Sequence, residues 1–340
     1  MIFWRLLFFP ISLIWFVITE TRNRLFDWGV FSTYLIPKKS ICIGNLSVGG
    51  TGKTPMTSYL AAMYYHEKKV QILSRGYGRK TKGFFNVTDP ETSENVGDEP
   101  LFYKLKFKGD VQVSVCENRK AGIEQIGIDN FDLLLLDDAY QHRHVKAGFT
   151  ILLTPYSNIF VEDFLLPLGK LRESPKNAKR ADCIVITKCP IDLSNDAKKT
   201  IENKLSKFKK PIFFSNINYQ ELICFGKPLN SIEKVILVSG IANPKPLIDY
   251  LQKSFEVELV TFTDHHQFTM SEIKVIQGKI DTFANDKTAI LTTEKDFARL
   301  HDKIKDWKLH DYPWYYIPIE MEIDNEKEFK SLINNYVTAI

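Results

Sequence analysis

Cysteine is scarce: Cys42, Cys116, Cys183, Cys189 and Cys224 are spread over 340 residues without a Cys-x-x-Cys pair. That spacing suggests neither a disulfide framework nor a zinc site, and it suits a catalytic part kept in a reducing compartment. An excess of one charge is also lacking, since 45 Lys and Arg face 41 Asp and Glu for a formal net charge of +4. So mild a balance does not mark a nucleic-acid binder, although it fits a face that handles phosphates beside an anionic bilayer. Sustained repeats and low-complexity tracts are missing, and 44% hydrophobic with 25% charged residues is the composition of a folded α/β chain.

One long apolar run stands out. Met1 to Ile18 is apolar apart from Arg5, Pro10 and Ser12. As a helix it is roughly 27 Å long, close to the thickness of a hydrocarbon core, so it can span a bilayer, lie half-embedded in one, or be a buried core helix. No small-residue cleavage site follows; Glu20, Arg22 and Arg24 come next, which argues against a removed signal peptide. Arg22, Arg24, Lys38 and Lys39 outnumber Arg5 plus the amino terminus, which leaves the remaining chain in the cytoplasm.

After this start, strand-like runs alternate with helical or loop segments at Ser40 to Ile43, Val70 to Leu73, Val111 to Val115, Leu133 to Leu136, Thr150 to Leu153, Cys183 to Thr187 and Ile212 to Phe214. The alternation predicts a mostly parallel sheet with helices on both faces. A β-hairpin connector is expected over 219–234, around Phe225 to Pro228. A smaller α/β set follows, with strands near Val235 to Ser239, Glu256 to Phe262, Thr288 to Thr292 and Trp314 to Ile317. The expected organisation is a membrane-associated helix (1–30), a nucleotide-binding domain (31–218), the linker (219–234) and a C-terminal domain closing over the cleft (235–340).

The run Ser47, Val48, Gly49, Gly50, Thr51, Gly52, Lys53, Thr54 matches GxxxxGK[ST] except that Ser47 replaces the first glycine. Between a strand and a helix, this run reads as a P-loop. Its amides wrap a β-phosphate, Lys53 reaches the β and γ oxygens, and the Thr54 hydroxyl ligates Mg²⁺. Leu133 to Leu136 ends in Asp137 and Asp138, carboxylates delivered to the sheet edge where open α/β folds bind ligands; either acid can serve the metal, and solvated strand-end caps are the plain alternative. Thr187, Lys188, Cys189 and Pro190 occupy the place of a guanine-reading Asn-Lys-x-Asp run but lack its Asp, which points away from GTP and hints that Lys188 packs on the base.

Candidates for the acceptor side lie further out. Asp98, in Val-Gly-Asp-Glu-Pro, suits a helix cap and also a general base for an alcohol or sugar hydroxyl. Asp264 and His265 could hold or tune such a base across a cleft, or form a surface cluster with His266. Arg172 could neutralise the moving phosphoryl group and Glu173 help organise Mg²⁺, while an exposed ion pair is the plain alternative. Arg75, Arg79 and Arg119 could clamp a phosphate on the acceptor or be flexible surface arginines. His142 and His144 lack the neighbouring cysteines of a zinc site.

Together these segments resemble the tetraacyldisaccharide 4'-kinase family: SVGGTGKTP, LSRGYGR, VGDEP, LLLLDDAYQHR, LLPLGKLRES, VSGIANP, FTDHHQF and LTTEKDFARL occur in order over nearly the whole chain. The resemblance implies transfer of the ATP γ-phosphoryl group to the 4'-hydroxyl of a tetraacyldisaccharide 1-phosphate at the cytoplasmic face of the inner membrane, in lipid A biosynthesis. It implies that Ser47 to Thr54 hold the phosphates, Asp137, Asp138 and Glu173 serve Mg²⁺, Asp98 is the base supported by His265, and Arg172 stabilises the γ-phosphate. No obligatory protein partner is inferred. LLDDAYQHR departs from the commoner DDGFQHR wording and leaves open which acid ligates the metal. The rival readings are a membrane-associated P-loop ATPase switch acting on a protein, which needs no acceptor-side base, and a nucleotide-binding scaffold without catalysis.

Overall fold

The computed structural model describes residues 8–88, 91–282 and 287–339. In chain order its elements are α1 (Phe9–Asp27), β1 (Tyr34–Leu35), β2 (Lys39–Asn45), α2 (Lys53–Tyr64), β3 (Val70–Ser74), β4 (Phe85–Asn86), α3 (Ser93–Val96), α4 (Asp98–Phe107), β5 (Gln112–Val115), α5 (Arg119–Ile126), β6 (Leu133–Asp137), β7 (Val145–Lys146), β8 (Phe149–Pro155) and β9 (Cys183–Thr187). Then come α6 (Asn195–Leu205), β10 (Ile212–Tyr219), β11 (Ile223–Cys224), β12 (Lys234–Ser239), α7 (Lys245–Leu251), β13 (Glu256–Thr261), α8 (Met270–Thr282), β14 (Thr288–Thr293), α9 (Glu294–Leu300), β15 (Trp314–Ile317), β16 (Ile319–Ile323) and α10 (Glu326–Thr338).

The expected mostly parallel α/β architecture is present. A nine-stranded sheet runs β16-β10-β9-β8-β2-β6-β3-β5-β4, antiparallel only at its two edges. Its central strands are continuous apolar runs because helices cover both faces: Ile41, Ile43, Leu133, Leu135 and Ile151 are fully buried. β2 lies between β6 and β8, and Ile43 pairs with Asp137, so the P-loop and the two acids leave adjacent strands at the same sheet edge. α2 follows the loop directly. Pro55 is tolerated in its first turn, and Met56, Leu60 and Tyr64 recur every four residues on its buried face.

A second, five-stranded sheet runs β11-β15-β14-β12-β13. The segment 219–234 does not form a hairpin of its own; β11 pairs antiparallel with β15 as an edge strand. The reason lies at Gly226, where an added Cβ would sit 2.1 Å from the Tyr312 carbonyl oxygen, so this glycine serves a close backbone approach and not a turn. The expected 235–340 unit also contributes to both sheets. Pro318 interrupts the chain after β15, and β16 then pairs with β10 while α10 packs its Phe329 and Ile333 into the core of the large sheet.

The N-terminal helix is inverted. Its buried residues are Ser12, Glu20, Asn23 and Phe26, whereas Phe9, Ile11, Leu13, Ile14, Val17 and Ile18 are exposed. Residues 1–7, including Arg5, lie outside the described residues. Among those described, no helix is long and apolar enough to cross a membrane, so the membrane helix expected from sequence is not found as a spanning element. Polarity is the physical reason: Phe9–Asp27 gains charged and polar residues after Ile18, and Glu20, Asn23 and Arg143 tie that half to the protein body.

Candidate active site

The loop between β2 and α2 is held open from beneath. The Asn45 side-chain amide donates to the Ser47 carbonyl and the Thr51 hydroxyl, both at 2.7 Å, and the Thr187 hydroxyl donates to the Thr51 carbonyl at 2.8 Å. Gly52 has φ of +89°, a left-handed conformation that favours glycine, and Thr187 stands in ordinary contact at 3.4 Å from where a Cβ would be. The segment after Gly169 runs beside the loop: the Val48 amide donates to the Lys170 carbonyl and the Arg172 amide to the Leu46 carbonyl.

Charges collect at this edge. Lys53 lies 3.5 Å from Asp138, and Arg172 approaches the same carboxylate at 3.4 Å. The Thr54 hydroxyl donates to Glu99 at 3.0 Å, and Lys295 from α9 meets the same Glu99 oxygen at 3.0 Å. Burial opposes charge on both partners, yet the ion pair wins, holding Glu99 well below the ordinary carboxylate range and Lys295 above the lysine range. Asp137, fully buried near Thr57 and Ser74, is pushed up to about 7 by burial and by the like charges of Glu99 and Asp138. Asp137, Asp138, Glu99 and the Thr54 hydroxyl are oxygen donors of the kind a hard divalent cation takes, although among the described residues no three acids or histidines are gathered closely enough to hold one by themselves, and Lys53, Arg172 and Lys295 already lie against two of these carboxylates.

Asp98 does not cap its helix; Gly97 is the cap residue, and no side-chain cap bond is made there. The Asp98 carboxylate instead accepts from Arg299 Nε at 2.8 Å and meets His265 Nδ1 at 2.9 Å. The expected approach of His265 to Asp98 is present in this structure. Arg299, 1% exposed, also donates to Asp296 and to the Gly240 carbonyl. Although burial raises the Asp98 pKa, the His265 hydrogen bond and the Arg299 guanidinium outweigh it and hold the carboxyl below its usual range. An ionised Asp98 can only accept, so the hydrogen of this contact sits on His265 Nδ1, while Nε2 lies 3.9 Å from Asp264. α9 starts with Thr293 accepting from the Asp296 amide, and this cap sets Lys295 and Arg299, four residues apart, on the face toward α4.

Two sequence expectations change place. The Glu173 oxygens accept from Arg180 at 2.7 Å, Gln141 at 3.0 Å and Asn23 at 2.8 Å, so Glu173 lies in a buried network with α1 and not beside Thr54. Arg119 is 1% exposed and its guanidinium is spent on the carbonyls of Cys116 and Asp137, where it pins two strand ends; it is not a free clamp. Arg79 is likewise tied, to Glu117 at 2.8 Å. Arg75 is exposed, close enough to weigh on the charge of Arg119. Glu99, Lys295, Arg299 and Gln141 were not singled out by sequence, although Glu99 adjoins Asp98 and the two cations share one helical face.

The chain matches the family model for tetraacyldisaccharide-1-P 4'-kinase over residues 4–338. It is 41% identical over 348 residues to a tetraacyldisaccharide 4'-kinase of Flavobacterium psychrophilum, covering 99% of this chain and 98% of that one. With the enzyme of the same description from Flavobacterium johnsoniae it shares 42% identity over 343 residues, 98% and 97% of the two chains. The crystal structure of LpxK from Aquifex aeolicus in complex with ATP superposes with a TM-score of 0.76 at 27% identity, covering 98% of this chain and 99% of that one.

Proposed function

The chain belongs to the tetraacyldisaccharide-1-P 4'-kinase family, and from that premise we propose how its residues transfer the γ-phosphoryl group of ATP to the 4'-hydroxyl of a tetraacyldisaccharide 1-phosphate in lipid A biosynthesis. The observation that carries the assignment of parts is the pair Asp98 and Glu99. These consecutive residues contact His265 and Thr54, so one helix start ties the proton acceptor to the phosphate-binding loop. A P-loop ATPase switch has no use for such a link.

The loop from Ser47 to Thr54 holds the triphosphate with its backbone amides, and Lys53 turns from Asp138 to the β and γ oxygens. Thr54, Asp137, Asp138 and Glu99 would hold Mg²⁺. When bound, this ion would supply positive charge against the phosphate oxygens of the nucleotide. Glu173 belongs behind this set, where it fixes Gln141 and through it Arg172, and Arg172 faces the transferred group.

The family resemblance implies that Asp98 is the base with His265 in support; the geometry favours the reverse. Asp98 is buried, engaged by Arg299 and held in its ionised form, which makes it a weak proton acceptor at neutral pH. His265 presents Nε2 to the cleft. The 4'-hydroxyl gives its proton to Nε2 as its oxygen attacks the γ-phosphorus, while Asp98 orients the ring and balances the positive charge it gains. Asp264 lies close enough to steer Nε2, and Arg75 is the exposed arginine left to meet the acceptor's own phosphate.

The acceptor's acyl chains lie in a bilayer, and the outward apolar face of α1 supports attachment there. On this reading the helix lies in the interface and the cleft opens at the cytoplasmic surface of the inner membrane; the support is that its polar residues face the protein while its apolar ones are exposed. The test is transfer of labelled phosphate from ATP to purified tetraacyldisaccharide 1-phosphate in detergent, with His265→Ala and Asp98→Asn beside the unaltered chain. Loss of more than about a hundredfold in His265→Ala supports the assignment; near-normal transfer by that variant refutes it.

A further inference from the structure

Lys188 is the motif residue the reaction has not absorbed. It follows β9 directly, where Thr187 holds the P-loop from below, and its backbone is left-handed at φ of +57°. Unlike Lys108, in the same conformation at a helix end, Lys188 caps no helix. A non-glycine residue placed so at a strand edge is conformationally costly and turns its side chain away from the strand's own course. The side chain crosses to the loop: the Lys188 ammonium lies 3.6 Å from where a Cβ on Gly50 would stand.

Three lysines approach this loop. Lys53 is paired with Asp138 and Lys295 with Glu99, whereas among the described residues no hydrogen bond or ion pair engages Lys188. The charges that weigh on it are Lys295, which opposes its own, and Asp264, which favours it. Lys188 as a residue is exposed, yet the protein around its ammonium, with Lys295 adding to it, holds the group below the ordinary lysine range. A cation without a protein partner among the described residues, standing beside a glycine of a phosphate-binding loop, is placed to meet an anion held there.

We propose that Lys188 contacts the terminal phosphates of ATP with its ammonium, on the side of the loop opposite Lys53, and does not serve mainly as an apolar wall for the adenine. This rests on the ATP-kinase reading. The position of the ammonium beside Gly50, and not beyond the loop, is what favours phosphate over base. Two lysines then flank the triphosphate, one from the start of α2 and one from the end of β9.

The experiment measures binding of ATP and of AMP by calorimetry to the unaltered chain and to Lys188→Met, Lys188→Ala and Lys188→Arg. Methionine keeps the stem's length without its charge, and arginine keeps the charge. The proposal expects Lys188→Met and Lys188→Ala to weaken ATP roughly tenfold to a hundredfold, with AMP little changed and Lys188→Arg close to unaltered. Retention by Lys188→Arg beside loss in Lys188→Met also excludes misfolding as the cause. If Lys188→Met binds ATP like the unaltered chain, whether or not Lys188→Ala weakens both nucleotides, the ammonium has no phosphate contact and the proposal falls. A failure of the kinase reading is seen separately, as tight ATP binding without transfer to the lipid acceptor.

Discussion

The division of labour between Asp98 and His265 can be separated experimentally, because the two side chains depend on different neighbours. Asp98→Asn keeps the size and one acceptor oxygen but removes the charge beside Arg299 and His265. Arg299 retains Asp296 and the Gly240 carbonyl, so the stability cost lies below the 3–5 kcal/mol expected when a buried cation loses its last partner, at about 1–3 kcal/mol. Its pH dependence has a defined sign. The folded Asp98 pKa is depressed, so its contribution is present above about pH 4, the unfolded value, and is lost as pH falls through the folded value. Urea titrations at pH 7 and pH 3.5 should therefore show a gap between the unaltered chain and Asp98→Asn that shrinks in acid.

Catalysis divides differently. Removing the imidazole in His265→Ala deletes the proton acceptor and lowers kcat by roughly 10²–10⁴, whereas Asp98→Asn leaves the acceptor misoriented and lowers it by less. Added imidazole should restore part of the activity to His265→Ala and none to Asp98→Asn. The assay is labelled-phosphate transfer in mixed micelles at saturating ATP. The reasoning is refuted by a His265→Ala enzyme within threefold of normal beside an inactive Asp98→Asn, since that pattern makes the carboxylate the base.

Arg299→Met strands Asp98 and Asp296 without their shared cation and should cost about 3–5 kcal/mol by urea titration; a loss under 1 kcal/mol would show that the two sheets are held together by other means. Asp137 has a raised folded pKa, so its stabilising contribution is complete below about pH 4 and disappears as pH rises toward 7. Without divalent ions the melting temperature of the unaltered chain should fall more between pH 5 and pH 8 than that of Asp137→Asn, and equal slopes would show that no proton is held there. Ile14→Asp with Ile18→Asp puts charge on the exposed face of α1. Co-sedimentation with anionic vesicles should drop at least tenfold while ATP binding is kept; undiminished co-sedimentation would place the membrane contact elsewhere.

Local patterns announced what local physics decides. Glycines and a lysine at fixed spacing between a strand and a helix marked the phosphate loop, and four leucines before two aspartates marked a buried central strand with its acids at the edge. Pairings across the chain were not legible in this way. Asp98 and His265 stand 167 residues apart and Glu99 and Lys295 stand 196 apart, and no periodicity connects them. The residues offered His265 as a group that could tune such a base, with a surface cluster as the alternative, and the resemblance paired it with Asp98; neither gave a sign of Arg299, which is buried between α9 and its partners Asp98, Asp296 and the Gly240 carbonyl. Glu173 was misplaced because its local sequence shows an acid next to an arginine, while its actual partners come from α1 and from Arg180. β16 escaped notice because Pro318 reads as the end of a strand, when it is the point where the chain changes sheets.

The most direct test of the whole account is the position of the phosphate. Incubation of the unaltered chain with ATP and tetraacyldisaccharide 1-phosphate in detergent, followed by NMR of the lipid product, should show a new phosphomonoester on the 4'-oxygen, formed one for one with ADP. ADP released at the same rate with or without the lipid, and no phosphate on the sugar, would contradict it.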